Sequence, residues 1–160
     1  MNKISIIMGS QSDLETMQEA INVLKDFKIP FEAKVLSAHR TPKELAAHIE
    51  AQAKRGVKVF IAAAGMSAAL AGVVAAHTTL PVIGVPIETK NLKGLDSLLS
   101  TVQMPPGIPV ACMSIGKAGS KNAALFALEI LGATDKNIQK KLSAYRKEMR
   151  AKIKKIRIKL

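Results

Sequence analysis

Three side chains that can bind anions or carry protons lie within a few residues of each other in the segment SAHRTP. Ser37 offers a hydroxyl group. His39 offers an imidazole, a group that titrates near neutral pH and can both give and take a proton. Arg40 offers a guanidinium, which can hold a phosphate through two parallel hydrogen bonds. This combination predicts a site that binds a phosphorylated ligand and moves a proton.

The segments on either side of these residues indicate that they form a loop between a strand and a helix. The stretch FEAKVL before them is typical of a short strand. Thr41 is predicted as the N-cap of a helix, Pro42 as its first residue, and Glu44 as the partner that completes a capping box. In a parallel α/β sheet, ligands bind at the edge where such loops lie.

A second loop of this kind is MGSQSD, which follows the first apolar strand. Ser10 and Ser12 place hydroxyls beside the start of a helix, where the helix dipole favours an anion such as a phosphate. Ser12 and Glu15 have the spacing of a capping box. Asp13 has two interpretations: a carboxylate that complements the helix dipole, or an acceptor for the paired hydroxyls of a sugar.

The third loop, AAAGMSAAL, consists mainly of small residues. Gly65 ends a buried strand, and Ser67 is predicted to cap the next helix. Small side chains allow a ligand to approach the backbone closely, but they also suit tight helix packing, and both interpretations stay open. The other two histidines, His48 within a helix and His77 at a helix end, are predicted to be structural.

Strand and helix patterns alternate along the whole chain, which predicts how these loops are positioned. Short apolar strands, each followed by a helix, indicate a parallel sheet covered on both faces, a three-layer α/β/α sandwich. We predict five strands in the flavodoxin-like order 2-1-3-4-5, which brings the three loops to one edge. Residues 1–160 are predicted to form a single domain, in which 135–160 is a long basic amphipathic helix.

The formal net charge of +12 raises the question of nucleic-acid binding. Between Asp135 and Leu160 there are eleven Lys and Arg residues and two acids, so most of the charge belongs to the last helix. Apolar residues recur there every three or four positions, as expected of a helix that docks on another surface; they are Ile138, Leu142, Tyr145, Met149, Ile153, Ile156 and Leu160. No aromatic residues alternate with the lysines for stacking on bases. We therefore predict no nucleic-acid partner.

Several other classes of protein are disfavoured by the composition. The single cysteine, Cys112, cannot form a disulfide within the chain, and no group of His, Cys, Asp or Glu has the spacing of metal ligands. No apolar stretch reaches the roughly 20 residues of a membrane span, and the N-terminal apolar run is too short for a secretory signal. These features predict a cytoplasmic protein without a metal or a membrane partner.

Five segments taken in order resemble the N5-carboxyaminoimidazole ribonucleotide mutases of bacterial purine biosynthesis. They are MGSQSD, SAHRTP, LPVIGVP, LDSLLSTVQMPPGIPV and IGKAG with NAAL, and the resemblance extends to about Leu131. It implies an isomerase that moves a carboxylate from the exocyclic nitrogen of the imidazole to a ring carbon, without a metal, biotin or nucleotide cofactor. It also implies a homo-octamer that acts on a small ribonucleotide.

The resemblance also implies roles for individual residues. His39 would be the catalytic proton carrier. The substrate would contact the other polar residues of the first two loops and the small residues of the third; these are Ser10, Asp13, Ser37, Arg40, Gly65 and Ser67.

The third loop departs from the pattern of the family, which commonly has Gly-Gly-Ala-Ala-His-Leu-Pro-Gly there. The histidine of that pattern falls on Ala69. A related branch carboxylates aminoimidazole ribonucleotide directly with carbon dioxide and tends to have Lys after the loop histidine and Arg-Ser-Asn in the third loop. Arg40 and the segment QMPPGIPV favour the mutase branch, whereas Ser67 is similar to the other branch.

Three alternatives to the mutase activity stay open. They are the direct carbon dioxide-dependent carboxylase, a ribonucleotide-binding protein without catalysis, and a nucleic-acid-binding protein that uses the basic tail. A steep salt dependence of retention on DNA would indicate the last of these.

Overall fold

A computed structural model describes residues 3–158 of the chain, which divides into two compact units, one ending at Ala127 and one beginning at Leu128. The prediction of a single domain stays a prediction. The strands are β1 Ile4–Met8, β2 Phe31–Val35, β3 Val59–Ala64, β4 Val82–Pro86 and β5 Ala111–Cys112. The helices are α1 Leu14–Asp26, α2 Pro42–Lys54, α3 Leu70–Ala76, α4 Leu95–Val102, α5 Gly116–Gly132 and α6 Lys136–Lys155.

The strands form a parallel sheet in the order β2-β1-β3-β4-β5, so the predicted fold class and strand order are confirmed. Strands β1 and β4 are buried throughout, as expected of strands covered on both faces. Strand β2 lies at an edge of the sheet and is half exposed. Strand β5 is short and covers only two residues of the predicted strand GIPVACMSI.

The strand order places the site-bearing loops. The chain leaves β1 in one direction to reach β2 and then returns across β1 to reach β3. Because such crossovers are right-handed, α1 and α2 lie on opposite faces of the sheet. A crevice therefore opens between the carboxyl ends of β1 and β3, which is the place where open α/β sheets bind ligands.

One face of the sheet packs against α2 and α3. Ile7 of β1 and Phe60 of β3 are fully buried there, together with Leu45 and Ile49 of α2 and Val74 of α3. Alternate residues along a strand point to opposite faces of the sheet. The adjacent residues Ile6 and Ile61, which are also fully buried, therefore point to the other face. This core anchors the strand ends from which the loops start.

Both predicted capping boxes are wrong, although the helices themselves are present. The first box is formed by Ser10 and Asp13 around a short 3₁₀ turn, Gln11–Asp13, rather than by Ser12 and Glu15. Glu15 instead pairs with Lys117, with 2.9 Å between Oε1 and Nζ.

The cap predicted at Thr41 is also not formed, although α2 does begin at Pro42 as predicted. The Thr41 hydroxyl instead accepts a hydrogen bond from the Ser37 amide at 2.9 Å and donates one to the Ser37 carbonyl at 3.1 Å. Its side chain therefore closes the preceding loop, and the helix begins without a side-chain cap. Ser67 likewise caps nothing, because α3 begins only at Leu70 with Ala69 before it.

In the second unit, Asp135 caps α6 as predicted. One carboxylate oxygen accepts hydrogen bonds from the amides of Asn137 at 3.0 Å and Ile138 at 3.3 Å. The helix ends at Lys155, whereas the prediction extended to residue 160; Leu160 lies outside the described residues.

Only the first part of the predicted apolar stripe of α6 is buried. Ile138 and Leu142 are buried, and both lie beside Gly132, where an added Cβ atom would be in ordinary contact with them. Met149 and Ile153 are 48% and 64% exposed. The far half of α6 therefore presents both lysines and apolar side chains at the surface.

Candidate active site

A cavity of about 480 Å³ opens at the carboxyl ends of β1 and β3. Its walls come from the loops after β1, β2 and β3, with one residue, Thr89, from the loop after β4. The structure brings all seven of the predicted site residues to this cavity: Ser10, Asp13, Ser37, His39, Arg40, Gly65 and Ser67.

The loop after β1 presents a buried carboxylate. The Ser10 amide donates a hydrogen bond to Asp13 Oδ2 at 2.9 Å, and the Ser12 amide donates to Ser10 Oγ at 3.3 Å. Asp13 is only 5% exposed. Burial raises the pKa of the Asp13 carboxyl above its ordinary value, because burial disfavours the charged form.

Several neighbours act against that rise in the pKa of Asp13. The hydrogen bonds from the Ser10 backbone, the Ser12 side chain and the Gly9 backbone all stabilise the carboxylate, and so does the nearby charge of Arg40. An ionised carboxylate has about four acceptor sites, so Asp13 can bond to the Ser10 amide and still accept a hydrogen bond from a ligand.

The loop after β2 holds Arg40 against the loop after β1. Arg40 Nη2 donates a hydrogen bond to the Gly9 carbonyl at 2.8 Å, and Nε donates to Ser37 Oγ at 3.3 Å. Ser37 Oγ also accepts from the Arg40 amide at 3.2 Å. Two of the five guanidinium donors are thus engaged within the described chain, and the others remain for an anion.

His39 lies beside Arg40 on the same loop, with its side chain exposed at the cavity. Within residues 3–158, its ring makes no hydrogen bond, in contrast to Ser37 and Arg40, which bond to each other. An imidazole without a protein partner is available to exchange a proton with a ligand in the cavity.

The loop after β3 approaches the loop after β4 so closely that a side chain at Gly65 would collide with Thr89. A Cβ atom built on Gly65 would lie 2.7 Å from Thr89 Cγ2. The next residue, Met66, has φ of +59°, and its side chain is 65% exposed at the cavity. Ser67 is exposed, and Ala69 also lines the wall.

Thr89 and Met66 also line the cavity, although neither was predicted as a site residue from the sequence. Thr89 Oγ1 lies 3.5 Å from Asp96 Oδ2, which connects the wall to α4. The signal that could have found Thr89 is its position three residues after β4, at the same sheet edge as the other loops. Nothing in the local sequence singles out Met66.

His48 lies outside this cavity, in a buried polar cluster beneath β1 and β2. Its Nε2 atom is 2.9 Å from Glu32 Oε1 and 3.4 Å from Ser5 Oγ. Ser5 donates to Glu32 Oε1 at 2.8 Å, and Gln52 Nε2 donates to Glu32 Oε2 at 2.9 Å. The cluster connects α2 to the edge strand β2.

Burial lowers the pKa of His48 below its ordinary value of about 6.5. The charge and hydrogen bond of Glu32 act in the opposite direction, whereas the charges of Lys34 and Arg55 lower the pKa of His48 further. His48 is therefore placed to be neutral in the folded protein at neutral pH.

The described residues offer neither a candidate metal site nor a candidate membrane-spanning helix. Residues 3–158 contain no group of three or more His, Cys, Asp or Glu side chains arranged to hold a metal ion. None of the helices in these residues is both long and apolar enough to span a bilayer.

The model of the AIR carboxylase family matches residues 3–152. The chain belongs to the AIR carboxylase family. This match includes all three loops of the cavity.

Two relatives within the family are named N5-carboxyaminoimidazole ribonucleotide mutase. The protein from Pyrococcus abyssi is 57% identical over 150 residues, which are 94% of this chain and 85% of the relative. The protein from Bacillus subtilis is 54% identical over 143 residues, which are 89% of this chain and 88% of the relative. The crystal structure of Treponema denticola PurE superposes with a TM-score of 0.85 at 31% identity, covering 94% of this chain and 92% of that chain.

Proposed function

We propose that the chain is an N5-carboxyaminoimidazole ribonucleotide mutase, an isomerase of purine biosynthesis. The observation that carries this proposal is a single cavity lined by His39, by the Arg40 guanidinium and by the buried carboxylate of Asp13. The names of relatives that share half or more of their residues with this chain support the same activity.

The ribonucleotide is bound by the first two loops. Arg40 holds the phosphate with its remaining guanidinium donors, and Ser10 lies at the helix start where an anion is favoured. Asp13 accepts the ribose hydroxyls. Ser37 positions Arg40 through its hydroxyl, and the small third loop, with Gly65 and Ser67, accommodates the imidazole end of the substrate.

The reaction breaks one bond to the migrating carbon and forms another. The N–C bond of the carbamate breaks, so that carbon dioxide leaves and the exocyclic nitrogen gains a proton. The ring carbon then attacks the carbon dioxide and becomes tetrahedral. Loss of its proton restores the aromatic ring. His39 supplies the first proton and accepts the second, so no net proton, oxidant or external energy source is needed.

The test of this mechanism is His39→Asn. Because the side chain is exposed and makes no hydrogen bond in the described chain, the variant should fold and bind substrate normally. Its kcat should fall by about 10²- to 10⁴-fold, the usual contribution of general acid–base catalysis. His77→Asn, a change at an exposed histidine outside the cavity, is the matched control. Near-normal kcat in His39→Asn would remove this residue from the mechanism.

The direct carboxylase is the second candidate, and the observation that favours it is Ser67 in the third loop, which is similar to the Arg-Ser-Asn of that branch. The two activities differ in substrate. The enzyme is incubated with the carbamate and, separately, with aminoimidazole ribonucleotide plus bicarbonate. Consumption of the carbamate supports the mutase. If the enzyme consumes aminoimidazole ribonucleotide with bicarbonate but does not consume the carbamate, the carboxylase is supported.

We also propose that the chain forms a homo-oligomer, an octamer. An apolar stripe runs along α4 and the turn before it, with Leu92, Leu95, Leu99 and Val102 each 48–57% exposed. Monomeric proteins rarely leave such a stripe uncovered. Leu99→Glu should lower the mass measured by sedimentation, whereas Ser100→Glu beside it should not. An unchanged mass in Leu99→Glu would remove α4 from the interface. A cytoplasmic location stays a prediction.

A further inference from the structure

Met66 is an unusual residue for the wall of this cavity. The residues around it are small, and the nearby Leu70 is only 2% exposed. Met66, in contrast, exposes 65% of its surface and contributes a long apolar side chain to the cavity wall. In the isolated chain, apolar surface of Met66 is therefore exposed in the wall of the cavity, where a bound ligand would remove it from water.

The backbone at Met66 is also unfavourable for a residue with a side chain. Its φ of +59° lies in the left-handed region, which glycine adopts freely and other residues adopt at a cost. Glycine would relieve this conformation but would leave no side chain at this point of the cavity wall. Backbone strain at a binding site indicates a function for the residue that maintains it.

We propose that Met66 closes over the imidazole ring of the bound ribonucleotide and keeps water away from the reacting carbon. Methionine suits this role because its three rotatable bonds let it adapt to a ligand, and its thioether makes favourable contacts with aromatic rings. Met66 thus covers the bound ring, and this inference rests on the proposed mutase function.

The chemical need for such a cover follows from the reaction. After the N–C bond breaks, carbon dioxide is free within the cavity until the ring carbon attacks it. If it escapes, the enzyme releases aminoimidazole ribonucleotide and carbon dioxide instead of the isomer. Excluding bulk water prevents this loss of an intermediate.

The experiment follows the migrating carbon. The substrate carries ¹³C in its carbamate carboxyl, and the buffer contains unlabelled bicarbonate. The label retained in the carboxylated product is measured at early times, together with the amount of aminoimidazole ribonucleotide released. Reactions without enzyme correct for spontaneous loss of the carbamate.

Three substitutions separate the side chain from the backbone strain. Met66→Ala removes the cover and keeps the strained backbone, whereas Met66→Gly removes both. Both should release more aminoimidazole ribonucleotide than wild type, and should retain correspondingly less label in the carboxylated product. Both should also raise KM by roughly 2- to 10-fold. Met66→Leu keeps an apolar cover and should stay near wild type. Met66→Gly should melt at a higher temperature than Met66→Ala.

The outcomes distinguish this inference from the function on which it rests. If wild type converts the labelled carbamate but Met66→Ala retains label equally well, Met66 is not the cover. If Met66→Ala changes the sedimenting mass, the side chain packs against another copy, and the inference is also overturned. If wild type does not convert the carbamate at all, the proposed function fails first.

Discussion

Gly65→Ala should be destabilising, and the cause should be a single methyl group on another loop. The added Cβ would lie 2.7 Å from Thr89 Cγ2, whereas its contacts with the Ile87 carbonyl oxygen and Cβ would be an ordinary 3.5 and 3.6 Å. Carbon atoms pack best at about 3.5–4.0 Å, so the Thr89 methyl must retreat by roughly an ångström. Such overpacking costs about 1–3 kcal/mol of the free energy of unfolding.

The partner substitution Thr89→Ser tests this cause directly, because serine lacks the methyl and keeps the hydroxyl that faces Asp96. Alone, it should cost less than about 0.8 kcal/mol, the value of one fully buried methylene group, because Thr89 is only half-buried. In the Thr89→Ser background, Gly65→Ala should cost less than in wild type by about 0.5–3 kcal/mol, the usual coupling between residues in contact.

The assay is urea unfolding of wild type, the two single variants and the double variant, with KM measured for each. Gly9→Ala is the matched control: it also changes a glycine of the cavity wall, but its Cβ would meet nothing closer than 3.5 Å. It should be neutral or stabilising by about 0.4–1 kcal/mol. An equal loss from Gly65→Ala in the wild-type and Thr89→Ser backgrounds would refute the reasoning.

Three further predictions concern charged groups. Arg40→Lys should raise KM by roughly 10- to 150-fold with kcat less affected, because an ammonium cannot bond to both loop acceptors and a phosphate; an unchanged KM would contradict this. Asp13→Asn should raise the melting temperature at neutral pH while abolishing binding, because burial raises the Asp13 pKa and so disfavours the ionised folded form. Burial lowers the pKa of His48, so its stabilising contribution is present above about pH 6.5 and is lost as pH falls through the folded pKa. His48→Gln should flatten this acid dependence in urea unfolding, and His77→Gln should keep it; equal profiles in both would exclude His48 as the cause.

Much of the fold and the grouping of the site could be predicted because both depend on strong, repeated signals. Apolar strands alternating with helices leave few arrangements other than a parallel sheet. Once the strands are parallel, every loop that follows a strand lies at the same edge. Ser10, His39 and Gly65, from three different loops, could therefore be assigned to one site before their distances were known.

The helix starts could not be predicted as well, because the choice depends on competing partners. Ser10 with Asp13 and Ser12 with Glu15 both have the spacing of a capping box. The structure forms the first, and Glu15 pairs with Lys117, which is 102 positions away in sequence. A local pattern carries no information about so distant a partner.

Asp13 shows why a structural role and a binding role could not be separated from the sequence. The two interpretations, a carboxylate that complements the helix dipole and an acceptor for sugar hydroxyls, each gave Asp13 a single role. In the structure, Oδ2 accepts the Ser10 amide and completes the turn, yet Asp13 also lines the cavity. A carboxylate has about four lone-pair sites, so the turn does not exhaust its capacity to accept hydrogen bonds. The turn therefore fixes the orientation of Asp13 and leaves acceptor sites that face the cavity wall, as the proposed binding of ribose hydroxyls requires. The same position buries the carboxyl group, and this burial raises its pKa.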